Sequence, residues 1–360
     1  MRTNFRLILY YSILFLFIFS GCGSTSVSKK IFSDFDLAGS WDFIHFGRMS
    51  EQFGSYGSLD INSFGFVTNG IVNNFGVDIQ KFTNGKFNIS NNGVVTGSID
   101  AFLADSNTYE KLIIYKGNMI GDKDLIIYSA SFDLGRKGIG VLLKKKESFF
   151  MNDLNGEWIL PLDGIFTVSI NNVPEIISCS YITPSGDTLN CFGSISLGSD
   201  GYISGNLQFE NYKPFKTDFN GHINSGKDAL IIAGGISTRF EGISALMLKK
   251  TKEFPQDILK GNWNIYIPTA GDTCYGTLQI NESGLVLKGE WTDSKNGSGF
   301  FTGEIKITDK EHGNIAGFIS VSELISYTII GGGINSSGDI ISLSAKDKSG
   351  IPIMLLMVKT

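Results

Sequence analysis

The histidines are the first residues to test for metal or acid–base chemistry. There are three of them, at unrelated positions along the chain: His45, His222 and His312. A zinc site needs several ligands that converge, and no spacing in this sequence brings such a set together. The sequence therefore predicts no metal ligand and no cofactor.

The sequence gives equally little support for a catalytic nucleophile or for a catalytic pair of carboxylates. Asp122 and Asp124 have the composition of a turn rather than of the paired carboxylates of a glycosidase. A serine nucleophile would need a base and an orienting carboxylate, and no Gly-x-Ser-x-Gly stands between a strand and a helix. We therefore predict that no residue is catalytic and that the protein is not an enzyme. An envelope hydrolase is kept as a minor alternative, which would need a cluster of polar residues in one cavity.

Cysteine spacing leaves two interpretations open. Cys179 and Cys191 flank Thr183-Pro-Ser-Gly-Asp187, a turn composition, so they could face each other across a hairpin. In an oxidising compartment they would then form a disulfide; otherwise they are buried thiols. Cys274 has no evident partner, and the C-x-x-C spacing of a metal or redox site is absent from the sequence.

The N-terminus has the pattern of a secretory signal. Arg2 and Arg6 form a positively charged start, and an apolar run from Leu7 to Phe19 follows that is short for a membrane span. The segment Phe19-Ser-Gly-Cys22 resembles the lipobox of bacterial lipoproteins, with Phe where Leu is usual. This resemblance implies a signal peptide over 1–21, lipid on Cys22 and a tether over 22–35.

The resemblance also implies a location in the cell envelope, with the membrane as a partner. A lipid on Cys22 would anchor the chain in the membrane, because acyl chains bind bilayers through their buried methylenes. Gly23 rather than Asp follows the cysteine, which in lipoproteins implies the outer membrane, at its periplasmic face or at the cell surface. The net charge of −5 gives no electrostatic footprint for nucleic acid.

The feature that best defines the domain organisation is a tripeptide that occurs three times. Each copy is Gly-x-Trp and opens a stretch of about a hundred residues, and the copies begin at Gly39 with Trp41, Gly156 with Trp158, and Gly261 with Trp263. The repeats divide the chain into module 1 (36–146), module 2 (153–251) and module 3 (258–360). The short connections between them predict that neighbouring modules touch.

The sequence also predicts a hairpin that all three modules share. Aromatic-Gly-hydroxyl-apolar alternation precedes a turn that ends in Gly65, Gly201 or Gly284, where positive φ is expected. This alignment makes Cys274 the equivalent of Cys191 and makes residues 166–190 an insertion in module 2. With residues 50–54 of module 1, that insertion defines a mouth between the first two strands, which is the first candidate for binding.

Low charge (18%) and 44 glycines favour an all-β chain. In module 3 we count eight short strands, the number that suits a small antiparallel up-and-down barrel; a small sandwich is the alternative. Gly-x-Trp followed by a Gly-ended hairpin resembles the calycin superfamily of lipocalins, fatty-acid-binding proteins and avidins. That resemblance implies that the Trp plugs one end of each barrel and that a small apolar ligand is a candidate partner.

The sequence thus predicts an envelope-anchored binding, interaction or structural protein. Its ligand is either an unknown protein on the outer surface or a small apolar molecule inside a barrel of calycin type. Trp291 has no counterpart in the other modules and is the better candidate among the tryptophans for binding. The run Lys144-Lys-Lys146 is predicted to cap a strand end in solvent.

Overall fold

The computed structural model describes residues 31–360, except for 47–53, 75–76, 104–106, 121, 133–136, 147, 162–163, 172–176, 184, 211–215, 237–241, 251–252, 270–271, 311–313 and 323–324. The signal peptide, the lipidation site Cys22 and the tether up to residue 30 lie outside the described residues, as does His312. The described part is all-β, which confirms the predicted fold class.

Modules 1 and 2 are closed eight-stranded antiparallel barrels. A four-residue helix, α1 (Asp34–Leu37), precedes the first barrel, and a 3-10 turn, Met151–Leu154, precedes the second. The strands of module 1 are β1 Gly39–Phe46, β2 Gly54–Ile61, β3 Val67–Asn74, β4 Val77–Ile89, β5 Val94–Leu103, β6 Thr108–Ile120, β7 Leu125–Phe132 and β8 Lys137–Lys144. The strands of module 2 are β9 Gly156–Pro161, β10 Ile165–Ile170, β11 Ile177–Ile182, β12 Thr188–Leu197, β13 Tyr202–Phe209, β14 Lys216–Ile223, β15 Ala229–Ile236 and β16 Gly242–Lys249.

Module 3 is a nine-stranded sheet that curls in the same way, after a 3-10 turn at Gln256–Leu259. Its strands are β17 Gly261–Thr269, β18 Asp272–Ile280, β19 Val286–Asp293, β20 Ser298–Phe300, β21 Thr302–Asp309, β22 Asn314–Ser320, β23 Ser326–Ile334, β24 Ile340–Asp347 and β25 Pro352–Lys359. β20 and β21 are one strand that breaks at Phe301, so the regular ladder is interrupted there. A bridge between Leu285 and Glu304, and a hydrogen bond from Ile305 N to Gly284 O (2.8 Å), bring the two sheet ends together.

The predicted equivalence of the three hairpins is wrong for module 2. The turns at Gly65 and Gly284 join the second and third strands of their modules, whereas the turn at Gly201 joins the fourth and fifth. Its counterpart in module 1 is the turn at Gly93, because that turn also joins the fourth and fifth strands of its module. Met119 N on the sixth strand binds Gly93 O (2.9 Å) as Ile223 N on the sixth strand of module 2 binds Gly201 O (3.1 Å). Alternation and a turn glycine specify a hairpin, but they do not specify its place in the sheet order.

Two further expectations change with this correction. Residues 166–190 are not an insertion, because they form most of β10, all of β11 and the start of β12, which belong to the regular barrel. Cys274 lies on the second strand of its module and Cys191 on the fourth, so the two positions are not equivalent.

The outer faces of the modules pack against one another. One hydrophobic cluster contains outward residues of module 1 such as Ile44 and Val141, the core of module 2, and Tyr266 and Leu356 of module 3. Residues 32–360 consequently form one compact unit. The connections do not act as spacers, since Phe149 and Phe254 within them are buried.

Polar contacts join each pair of modules as well. Lys137 Nζ of module 1 lies 3.3 Å from Asp272 Oδ1 of module 3, and Tyr266 donates a hydrogen bond to Asn118 Oδ1 (2.6 Å). Between modules 2 and 3, Ser336 Oγ donates to Asp228 Oδ2 (2.6 Å). Modules 1 and 2 meet at Asp42, which is described with the site.

Candidate functional site

The Gly-x-Trp motif closes one end of each module. Trp41, Trp158 and Trp263 are fully buried, and each indole Nε1 donates a 2.8 Å hydrogen bond to the carbonyl of the leucine four residues earlier. That leucine ends the short helical turn that lies across the barrel end. We call this end, where the first strand begins, the closed end. The three tryptophans fill it, and no described surface of theirs is open to a ligand.

A lysine from the last strand completes each closed end. Lys144, Lys249 and Lys359 place Nζ 5.4, 5.4 and 5.2 Å from the centre of the tryptophan ring. The same ammonium groups donate to backbone carbonyls of the helical turn at 2.9, 2.9 and 2.7 Å. Burial lowers the pKa of all three lysines. The prediction that Lys144 caps a strand end in solvent is therefore wrong, since its ammonium group bridges the tryptophan and the turn.

The glycine of the motif makes room for that lysine. Gly39, Gly156 and Gly261 have φ of +131°, +128° and +137°, where an L side chain is strained. A Cβ atom on each would lie 2.9–3.1 Å from the Cε of the lysine. Gly, Trp and Lys therefore act together as a structural plug.

The interior of module 2 is filled by aromatic rings and a disulfide. The rings of Phe166 and Tyr181 stack with centroids 4.2 Å apart, and Phe209 packs 5.9 Å from Phe166. Cys179 and Cys191 lie directly opposite each other on β11 and β12, with Cα atoms 4.9 Å apart, and are bonded as a disulfide. These groups occupy the interior of the module 2 barrel.

We expect reduction of this disulfide to destabilise the protein. The bond closes a short loop of sequence separation 12, for which loss of the cross-link costs about 2–4 kcal/mol of unfolding free energy. Urea unfolding with and without dithiothreitol measures the loss. In the double variant Cys179→Ser/Cys191→Ser, dithiothreitol should have no further effect; a shift that persists there would place the redox effect elsewhere.

The interior of module 3 is also filled, and Trp291 closes its second end. Trp291 packs against the core, and its Nε1 donates to Val321 O (2.9 Å) in the loop that follows β22. Cys274 is a buried thiol in this core, and burial raises its pKa. Trp291, singled out in the sequence as a candidate for binding, is half-buried in a plugging position.

The interior of module 1 differs because polar side chains face inward near its second end. His45 follows the inward Trp41 and Phe43 at alternate positions, and lies opposite Ser55 on β2 and Gly140 on β8. Tyr128, opposite Gly140, fills the space above that glycine, and burial raises the pKa of its hydroxyl. Glu110 on β6 is buried on the same inner face. His45, Ser55, Glu110 and Tyr128 thus place an imidazole, a carboxyl group and two hydroxyl groups on the inner face of module 1.

A second polar cluster lies where modules 1 and 2 meet. Asp42 faces outward from β1 and is buried, with Oδ2 2.9 Å from His222 Nδ1 of β14 and Oδ1 3.0 Å from Lys145 Nζ. The contact with the imidazole is not aligned as a hydrogen bond, so its attraction depends on charge. Burial, and then the nearby charge of Asp42, raise the pKa of Tyr56 and of Tyr202.

A polar groove runs from this cluster along the outer face of module 2. It encloses about 430 Å³ between β12, β13 and β14, and outward side chains line it: Ser194, Ser196, Ser204, Asn206, Asp218 and Asn220. Asn206 donates to Ser194 Oγ at 2.7 Å, and the Ser196 and Ser204 hydroxyls are 2.7 Å apart. Small side chains on neighbouring strands therefore leave a depression with a hydrogen-bonding floor.

Exposed aromatic rings stand at both ends of the groove. Phe192 precedes Ser194 by two residues on β12, and Tyr202 precedes Ser204 by two on β13, so both share its outer face. Phe192 is 46% exposed and Tyr202 38% exposed. The Tyr202 hydroxyl donates to Asn220 Oδ1 at 2.7 Å and links that ring to the floor. Aromatic rings around hydrogen-bonding groups are typical of protein interfaces.

Sequence reasoning missed this groove. Its residues alternate with buried ones on three strands, so no continuous motif marks them; the repeated small polar residues at 194, 196, 204 and 206 were the available signal. Of the predicted mouth, residues 50–53 lie outside the description, and residues 166–190 are divided between interior and outer face. No group of three potential metal ligands occurs among the described residues. None of the described helices is long and apolar enough to cross a bilayer.

Several solved structures are similar to this chain. A variant of transferrin binding protein B from Haemophilus parasuis is 10% identical, with 89% of this chain and 74% of that chain covered and a TM-score of 0.28. Transferrin binding protein B from Neisseria meningitidis is 10% identical, with 89% and 75% covered and a TM-score of 0.27. A protein of unknown function from Nostoc punctiforme is 12% identical, with 91% and 96% covered and a TM-score of 0.19. Searches of protein-family models and of curated proteins found no match. At these TM-scores, the likeness carries no argument about function.

Proposed function

We propose that this chain is a lipid-anchored envelope protein that binds a macromolecular partner through the outer face of module 2. The observation that carries the proposal is that the interiors of modules 2 and 3 are filled. Aromatic rings, a disulfide and Trp291 occupy the space that a ligand inside the barrel would need. A protein with filled interiors recognises partners with its outer surface. The groove between β12 and β14 offers hydroxyl, amide and aromatic groups together.

The rigid packing of the modules supports the same role. Because the three modules share one buried cluster, the groove is held on a stiff platform and loses little conformational entropy on binding. The lipid anchor at Cys22 is part of the proposal and rests on the lipobox resemblance. Replacement Cys22→Ala should move the protein from the detergent phase to the aqueous phase in a phase-partition experiment.

Filling the groove tests the binding site. We expect Ser196→Arg/Ser204→Arg to reduce partner capture from intact cells at least tenfold, since two long side chains would occupy the floor. Thr277→Arg/Gln279→Arg is the matched control, because both are exposed polar residues on the outer face of β18. Capture that is equal for the groove variant, the control and the wild type would remove the groove from the proposal.

Module 1 supports a second candidate function, the holding of a small molecule. His45, Ser55, Glu110 and Tyr128 give its interior an imidazole, a carboxyl group and two hydroxyl groups. A few polar groups in an apolar cavity are typical of ligand sites. Native mass spectrometry of the purified protein would reveal such a ligand, and Tyr128→Phe should weaken its retention.

A further inference from the structure

The closed end of module 1 exposes large apolar side chains. Phe35 of α1 is 73% exposed, and Phe64, in the turn between β2 and β3, is 69% exposed. Phe66, which follows this turn, is 45% exposed. Exposed aromatic residues that share one end of a domain mark an interaction surface.

The other modules provide internal controls for this surface. The position six residues before the motif tryptophan is Phe35 in module 1, but Asn152 in module 2 and Asp257 in module 3, and all three are exposed. The residue before the turn glycine is Phe64 in module 1 and Ser283 in module 3. The same scaffold therefore tolerates polar residues at both positions, and the fold does not require the aromatic rings of Phe35 and Phe64.

Contacts of α1 place these rings on one end of the barrel. The Asp34 carboxylate accepts a hydrogen bond from Ile89 N at the end of β4 (3.4 Å), and Asp36 pairs with Lys123 in the turn before β7 (2.8 Å). A Cβ atom on Gly65, beside Phe64, would lie 3.7 Å from a methyl group of Leu37. The helix thus lies across the same end of the barrel that the Phe64 turn forms.

We propose that the closed end of module 1 rests on the bilayer, with Phe35, Phe64 and Phe66 inserted at the headgroup boundary. This inference rests on the lipid anchor proposed above. Nine residues lie between Cys22 and Phe32, so the ten Cα–Cα steps of an extended tether would span at most about 35 Å. Module 1 is therefore the module that the anchor holds next to the membrane, and it is the module that carries the aromatic rings.

The charge beside the rings fits a lipid surface. Lys86 Nζ lies 4.9 Å from the centre of the Phe66 ring, so a cation accompanies the apolar group. Interfacial segments combine such rings with lysines whose ammonium groups reach the headgroup phosphates. Insertion of the rings orients the protein and leaves it less free to swing on its tether.

Quenching by brominated lipid tests the orientation. The lipidated variant Phe35→Trp is reconstituted into phosphatidylcholine vesicles that contain lipid brominated along the acyl chains. Interfacial apolar faces lie about 5–10 Å below the headgroup boundary, so we expect the added fluorescence to fall by roughly half. Asn152→Trp, at the equivalent position of module 2, is the control and should not be quenched. The four natural tryptophans contribute the same background to both variants.

The outcomes of the quenching experiment distinguish the proposed orientation from the lipid anchor. Quenching of Phe35→Trp alone supports the proposal. If the vesicles retain the protein but neither variant is quenched, the anchor stands and the orientation is overturned. If Phe35→Trp is shielded only at high protein density, a second copy rather than lipid covers the surface, and the proposal fails. A protein that remains in the aqueous phase overturns the anchor, and this inference with it.

Discussion

Replacement of Trp158 by alanine should lower the free energy of unfolding by about 3–5 kcal/mol, as for other large aromatic residues removed from cores. The indole is fully buried and donates a 2.8 Å hydrogen bond to Leu154 O, so the variant loses both its packing and this bond. The variant also loses the cation–π contact between the Lys249 ammonium group and the indole ring. Urea unfolding followed by far-ultraviolet circular dichroism measures the change.

The loss should appear in one cooperative transition of the whole chain. Trp158 belongs to the buried cluster that contains residues of all three modules, so weakening module 2 removes support from the other two. Trp158→Phe serves as the control: it retains most of the apolar volume and should cost less than the alanine variant. An alanine variant within about 1 kcal/mol of the wild type, or one with a separate transition for module 2, would contradict the shared-core interpretation.

The sequence was sufficient to predict tandem all-β barrels, but it did not predict the lysines of their plugs. Gly-x-Trp recurs about every hundred residues, and apolar residues alternate along each strand; both are local signals, and both correspond to strands in the structure. The place of the Gly201 hairpin could not be predicted in the same way. Sheet order depends on pairings between distant strands, and a hairpin has the same local pattern wherever it stands in the barrel.

The candidate site was less predictable for a similar reason. Ser194 and Asn206 become neighbours only when β12 pairs with β13, and Tyr202 joins them through Asn220 on a third strand. The position of Lys144 above Trp41 depends on the meeting of the first and last strands, about a hundred residues apart. Surfaces built across strands are not visible in one sequence, whereas a recurring tripeptide is.

The contact between modules 1 and 2 can be tested at Asp42. Asp42→Ala should lower the free energy of unfolding by about 1–3 kcal/mol, because the buried imidazole of His222 and the ammonium group of Lys145 both lose their carboxylate partner. His222, 2.9 Å away, is fully buried, whereas Lys145 is 36% exposed and can turn to water. The larger part of the cost therefore falls on the module interface around His222.

A double-mutant cycle separates this pair from general damage to the interface. Asp42→Asn preserves the shape of the side chain, and His222→Gln preserves a polar group on the facing strand. If the two residues interact directly, the double variant should be more stable than the sum of the single effects predicts, by about 0.5–3 kcal/mol. Additive single effects would show that Asp42 acts through Lys145 or through packing alone. The cycle thus reports how far a charge between two barrels, rather than the apolar cluster around it, holds the modules together.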